Sequence, residues 1–263
     1  MAAGDITSSV QEASKFACND FDGVDDYVEI PLSDAANFQT TQRFTYSLWV
    51  YSRAAEATNR PLYKRDGNKG IIVQTRVTTT PAFECAFGDG ASTNIVAFTG
   101  SVHEKWEHLA FVFTGTTRSL YLNGALVVGP TVSNAYVDST GIKILIGSDT
   151  AGVGANCFKG AVREVKFWNK ALTVAQILED YQGKSNNDGL VHYFKLGGDY
   201  NDYGRVGVAA TNSGSLATNT LAGRIGMDMR GINLPATTDK IIALPFNGRS
   251  EIVKIIKTSR ATA

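Results

Sequence analysis

The sequence predicts an all-β protein: an antiparallel β-sandwich of the jelly-roll type, with one short helix and extended N- and C-terminal arms. Three observations predict it. Short runs of β-branched and aromatic residues with period-two alternation recur along most of the chain. Turn-forming residues separate nearly all of them, and Asn123-Gly124 is the strongest signal, because Asn-Gly supplies the two positive φ angles of a type I′ hairpin. Only one stretch, beginning at Thr173, carries a helical period. Many short strands with almost no helix read as a sandwich or jelly roll.

Taken in order, the body begins at Ala17–Phe21 and continues through Tyr27–Ile30, which Pro31 ends. Phe44–Tyr51 alternates cleanly and is rich in aromatic residues. Further strands are expected at Leu62–Lys64, Gly70–Thr75, Phe83–Phe87, Ile95–Phe98, His108–Thr114, Ser119–Leu122, Ala125–Val128 and Ile142–Ile146. Arg65-Asp66-Gly67-Asn68 and Gly88-Asp89-Gly90 mark turns among them.

Phe158–Tyr181 changes period part-way. From Gly160 to Trp168 it reads as a strand with Val165 and Phe167 on one face and Glu164, Lys166 and Trp168 on the other. Val162 has the wrong parity for the Val165 face, which predicts a bulge near Arg163–Glu164 or a strand buried on both sides. Thr173 then caps a helix, and Gln176 three residues later completes a capping box. Val174, Ile177, Leu178 and Tyr181 form its apolar stripe, and Gly183 ends it in left-handed geometry. Leu190–Leu196 reads as one more strand.

These elements divide the chain into a polar arm (1–16), a jelly-roll body (17–196) and an extended C-terminal segment (197–263). From Gly197 to Gly231 the segment is dominated by small and polar residues and supports itself weakly. Ile241–Leu244 and Ile252–Ile256 regain β character but are too few to make a core, so they must pack on the body or pair with a neighbouring chain.

The totals exclude several classes. Of 263 residues, 43% are hydrophobic, enough for a real core. Twenty-five basic residues balance 25 acidic ones without a basic stripe, which disfavours nucleic acid as a partner. No apolar run approaches the roughly 20 residues of a spanning helix, so no membrane insertion is expected. The first residues have neither a basic start nor an apolar stretch, and the expectation is synthesis in the cytoplasm without a signal peptide. Cys18, Cys85 and Cys157 are odd in number and far apart, fitting buried thiols better than a disulfide framework or a metal site.

Several anchors occur in a recognisable order. They open with Phe21-Asp22-Gly23-Val24-Asp25-Asp26-Tyr27-Val28-Glu29-Ile30, followed by Phe44-Thr45 with Trp49-Val50. Trp106-Glu107-His108-Leu109-Ala110, Leu120-Tyr121-Leu122-Asn123-Gly124 and Ile146-Gly147 come next. Phe158-Lys159-Gly160 through Trp168-Asn169-Lys170-Ala171-Leu172 and the capped helix close the set. Over about residues 17–182 this order resembles the laminin-G-like, concanavalin A-like lectin/glucanase jelly rolls. The resemblance implies two antiparallel sheets of six or seven strands, one of them concave. It does not cover the first 16 residues or those beyond about 196.

Glycosidases sharing this sandwich carry a Glu-x-Asp-x-x-Glu strand that sets an acid and a nucleophile about 5 Å apart; no Glu here has that spacing. Glu104 and Glu107 flank Trp106 with opposite parity. His108, between same-face neighbours Trp106 and Ala110, reads as a packed, hydrogen-bonded imidazole, while His103 and His192 are isolated. No GxSxG elbow or metal-ligand histidine spacing is present. Some relatives bind structural calcium, for which Asp22, Asp25 and Asp26 offer oxygens; turn amides satisfying those carboxylates are the alternative. The family often has two acids where this chain has Arg163-Glu164, and a cation there would repel the ion. Tyr51, Tyr63, Tyr136 and Tyr203 are the candidate glycan platforms.

The expected function is a non-catalytic assembly protein built on this fold, with a virion-surface decoration or fibre subunit as its leading version. Its partners would be other protein subunits, engaged through both arms, and a cell-surface glycan. A soluble carbohydrate-binding module is the alternative, and a polysaccharide hydrolase ranks last for want of paired carboxylates.

Overall fold

A computed structural model describes residues 18–31, 37–53, 58–77, 81–100, 104–151, 156–184, 186–213, 217–219, 241–246 and 249–254. The expected arm (1–16), His103 and much of the C-terminal segment lie outside these residues. The strands are β1 (Cys18–Asp22), β2 (Tyr27–Ile30), β3 (Phe44–Ser52), β4 (Thr58–Asp66), β5 (Lys69–Val77), β6 (Pro81–Gly88), β7 (Thr93–Thr99), β8 (Trp106–Phe113), β9 (Thr117–Leu122), β10 (Ala125–Val132), β11 (Ile144–Ile146) and β12 (Lys159–Trp168). Helix α1 (Val174–Tyr181) follows, then β13 (Leu190–Phe194), β14 (Thr211–Ser213), β15 (Ala217–Asn219), β16 (Ile241–Phe246) and β17 (Arg249–Lys254).

They form two antiparallel sheets, as the concanavalin A-like sandwich requires. One is eight-stranded, in the order β10-β9-β8-β3-β12-β1-β15, with β13 also paired to β12. The other is seven-stranded, β14-β2-β11-β4-β5-β6-β7. Alternating side chains of the two inner faces make the core: Phe44, Tyr46, Leu48 and Val50 of β3 meet Val28, Leu62, Val73 and Phe87 of the second sheet. Phe44 stacks on Phe38 at 4.7 Å and meets Tyr136 edge-on at 5.0 Å, so one end of the core is largely aromatic.

The wrong parity of Val162 is explained by a bulge. The β12–β3 register shifts between Arg163 and Lys166, and Glu164 takes φ +55°. The kink lets Val162 and Val165 both face the core, although three residues separate them. It also divides the opposite edge of β12: its first half pairs with β1, Phe21 lying opposite Gly160, and its second half with β13.

The boundary expected at residue 196 moves. β14 pairs with β2 and β15 with β1, so the segment read as weakly self-supporting straps both sheets on one side of the sandwich. Leu196 and Ala210 enter the core, with Tyr200 and Val206 packed against it. The sandwich therefore runs on to Asn219. On the other side Arg118 closes the gap between edge strands, its Nε donating to Ile95 O at 3.2 Å and its Nη1 to Val132 O at 2.7 Å. β16 and β17 pair only with each other among the described residues.

Cys18, Cys85 and Cys157 are buried thiols. Among the described residues no helix is long and apolar enough to cross a membrane.

Candidate functional site

With one face of β3 in the core, alternation turns Thr45, Ser47, Trp49 and Tyr51 outward. Helix α1 covers part of that outer face. The Thr45 hydroxyl donates to Lys170 O at 2.9 Å and accepts from Leu172 N at 3.0 Å, which fastens the approach to the helix. The capping box of Thr173 and Gln176 forms, and Gly183 ends the helix with φ +72°. The buried stripe differs from the expected one. Ile177 and Asp180 point inward, while Val174 (59% exposed) and Leu178 (43%) face out.

Asp180 is the polar member of that inward face. Its carboxylate accepts from Ser47 Oγ at 2.6 Å and Lys166 Nζ at 2.7 Å, and lies 3.0 Å from His108 Nε2. Burial alone would raise this carboxyl, but the Lys166 ammonium and the His108 contact outweigh it and hold Asp180 well below the ordinary carboxylate range. Ser47 and His108 both bond to Asp180 Oδ2, so the serine's partner is the carboxylate and not the imidazole. His108 is the packed, hydrogen-bonded imidazole expected of it.

Beside this network the Arg163 guanidinium lies 4.9 Å from the Trp49 ring centroid and 5.0 Å from that of Trp106. Tyr181 stacks on Trp49 at 5.5 Å, Tyr51 leans on Trp106 at 5.7 Å, and Arg53 sits 6.0 Å from the Tyr51 centroid. Cations and rings thus alternate across β12, β3 and β8. Burial brings Arg163 down to about 10, with Glu164 pulling the other way, so it stays charged at neutral pH.

The corner between β1 and β2 carries a different chemistry. Asp22, Asp25 and Asp26 each bring a carboxylate oxygen within 4.8 Å of the others. Local amides satisfy part of the set: Asp22 Oδ1 accepts from Val24 N at 2.7 Å, and Asp26 Oδ2 from Asp22 N at 3.0 Å. Asp26 is only 2% exposed, yet its Oδ1 has no hydrogen-bond partner. Burial raises the Asp26 carboxyl against the Asp22 amide, and the charges of Asp22, Asp25 and Asp20 add to the rise. Convergent oxygens with one buried lone pair unspent suit a hard divalent cation such as calcium. Lys159, not Arg163, pairs with Asp22; Arg163 follows roughly 13 Å further along β12.

The structure does not assemble the tyrosines into one platform. Tyr136 is 1% exposed, its ring packed against Phe44 and Phe87 and its hydroxyl donating to Asp138, so it has no face to offer a sugar. Tyr51 and Tyr63 are half-buried on the outer faces of opposite sheets, and the Arg60 guanidinium lies 5.1 Å from the Tyr63 centroid. Tyr203 is 47% exposed, with Lys195 Nζ 3.9 Å from its ring centroid and its hydroxyl donating to Asp199 at 2.6 Å.

A family model for laminin-G-like domains of the concanavalin A-like lectin/glucanase superfamily matches residues 22–178. That span is more than half of the chain and contains every anchor from Asp22 to helix α1. The chain belongs to this superfamily. Among solved structures, this laminin-G-like chain is similar to a Bacteroides ovatus protein provisionally named for carbohydrate binding, at 19% identity and a TM-score of 0.60. The match covers 78% of this chain and 60% of that one, so the laminin-G-like chain spans less than two thirds of the Bacteroides protein. It is also similar to a heptameric SAP-like pentraxin from Limulus polyphemus, at 12% identity and a TM-score of 0.55, over 80% of this chain and 97% of that one. Both likenesses show the fold. No curated protein matches the sequence.

Proposed function

We propose that this laminin-G-like chain is a non-catalytic carbohydrate-binding jelly roll that works as a subunit of a larger assembly, with calcium held at the β1–β2 corner. A contrast between two sets of carboxylates carries the reading. Asp180, Asp138, Asp202 and Glu107 are buried and tied to protein cations, hydroxyls, amides or imidazoles. Asp22, Asp25 and Asp26 converge with an oxygen to spare. The acidity left over suits holding a cation, not moving a proton between substrate atoms. Bound calcium would supply charge neutralisation there and stiffen the turn from β1 to β2.

The finer version, a decoration or fibre subunit at a virion surface, draws support from the C-terminal hairpin. Two strands alone are marginal in water, and β16 and β17 pair with no strand of the sandwich among the described residues. A neighbouring subunit would give them a partner. The alternative is a carbohydrate-binding module acting alone.

A glycan array probed with the full chain in calcium and in chelator tests the binding reading, and saccharide binding is the expected result. Sedimentation of the full chain beside one ending at residue 219 tests assembly. If the full chain is a monomer and truncation changes nothing, the assembly reading is wrong.

A further inference from the structure

We infer that the cleft between the end of helix α1 and the β12–β13 edge is the saccharide site, and that it takes two adjacent hydroxyls of one neutral sugar residue. The inference rests on the carbohydrate-binding reading and adds where and what. Glu164, Lys184, Asn186, Asn187 and Tyr193 line the cleft, with the Trp168 indole among its walls.

Unspent hydrogen-bonding capacity marks the place. Asn186 is held by its backbone carbonyl, which accepts from Trp168 Nε1 at 2.9 Å, and its Oδ1 accepts from Asp188 N at 3.3 Å. Its Nδ2 is buried without a partner. A buried donor left unpaired carries a desolvation cost, which a ligand acceptor would recover. Glu164 uses Oε2 on the Tyr193 hydroxyl at 2.5 Å and on Lys166 at 3.6 Å. Burial, and then the Glu164 charge, push the Tyr193 phenol up, so it stays a neutral donor to that oxygen. Glu164 Oε1 has no donor among the described residues, and the exposed Lys184 and Asn187 side chains hydrogen-bond to nothing among them.

A sugar hydroxyl both donates and accepts. Two neighbouring hydroxyls can therefore give a proton to Glu164 and take one from Asn186. Charge favours a neutral ligand, because Lys166 and Lys184 balance Glu164 and Asp180 around the cleft. Size points to the edge of one residue. The interior is about 40 Å3, room for roughly two or three waters or a pair of hydroxyls.

The test is calorimetry on the full chain with methyl glycosides of neutral hexoses and with N-acetylneuraminic acid. Asn186→Asp keeps the Oδ1 acceptor and replaces the unpaired donor; Lys184→Ala combined with Asn187→Ala changes only exposed side chains. Both should weaken neutral-sugar binding at least fivefold, the exposed double variant with the Tm unchanged, while Lys143→Ala on the other sheet leaves binding alone. Binding that survives both cleft variants overturns this site but keeps the carbohydrate reading. A preference for the sialic acid overturns the neutral-ligand assignment. If no saccharide binds the full chain in titration or on an array, both readings fall together.

Discussion

Lys166 Nζ lies 2.7 Å from Asp180 Oδ1, and this ion pair, beneath helix α1, joins the helix to the central strand β12. Removing one partner strands the other charge away from water. Asp180→Ala should therefore destabilise the fold by about 3–5 kcal/mol, whereas replacing both partners with apolar residues of similar volume should cost much less. Urea unfolding of the single and double variants checks the difference.

The same carboxyl makes the acid limb of stability predictable. Its folded pKa lies below its unfolded value, so its contribution is complete above about pH 4 and drains away as the pH falls towards the folded value. Between pH 4 and pH 3 the unmodified chain should lose stability faster than Asp180→Asn. Equal slopes in urea melts at the two pH values would contradict the pairing.

At the β1–β2 corner, millimolar calcium should raise the Tm, and a chelator should reverse the rise. Asp26→Asn should abolish the calcium response without lowering the Tm of the calcium-free protein by more than a few degrees, since it removes a crowded buried charge. A calcium shift that survives Asp26→Asn would place the ion elsewhere.

Arg163→Lys should not behave as a conservative change. A planar guanidinium can lie against the Trp49 and Trp106 rings together, and a compact ammonium cannot. The expected loss is about 1–2 kcal/mol, measured by chemical unfolding.

The strap formed by residues 197–213 hangs on Asp202. Its carboxylate takes His192 Nδ1 at 2.7 Å, Tyr193 N at 2.9 Å, Gly204 N at 2.8 Å and Val208 N at 3.3 Å. Asp202→Ala should cost about 3 kcal/mol or more and open peptide bonds after Leu196 to limited proteolysis. Resistance equal to the unmodified chain would show that the strap is held by packing alone.

Much of this architecture was legible in local chemistry. Asn123 and Gly124 take φ +52° and +80° at the turn their pair predicts, and the capping box of Thr173 forms. The parity fault at Val162 announced its bulge. What stayed hidden depends on long-range partners. Tyr136 lies in a stretch without regular strand or helix, so no period assigned it a face, and only the fold shows it inside the core. The stripe of α1 differs because a buried acid shares the inward face with Ile177, and that acid's partners are 14, 72 and 133 residues away in sequence. Of the cleft, the sequence placed Glu164, Lys166 and Trp168 on one strand face, with no sign that the Asn186 amide would be buried without a partner.

The Asn19 carboxamide accepts the Gly197 amide at 2.6 Å across a sequence separation of 178 residues. During vectorial synthesis β1 is made long before β15, and its outer edge is covered only when β15 has left the ribosome. For most of translation the nascent chain therefore presents two open sheet edges at the same side, a hazard for mispairing with other chains. Closure waits for β14 and β15, so the folding rate should depend on these long-range pairings as well as on the strands that make most of the core.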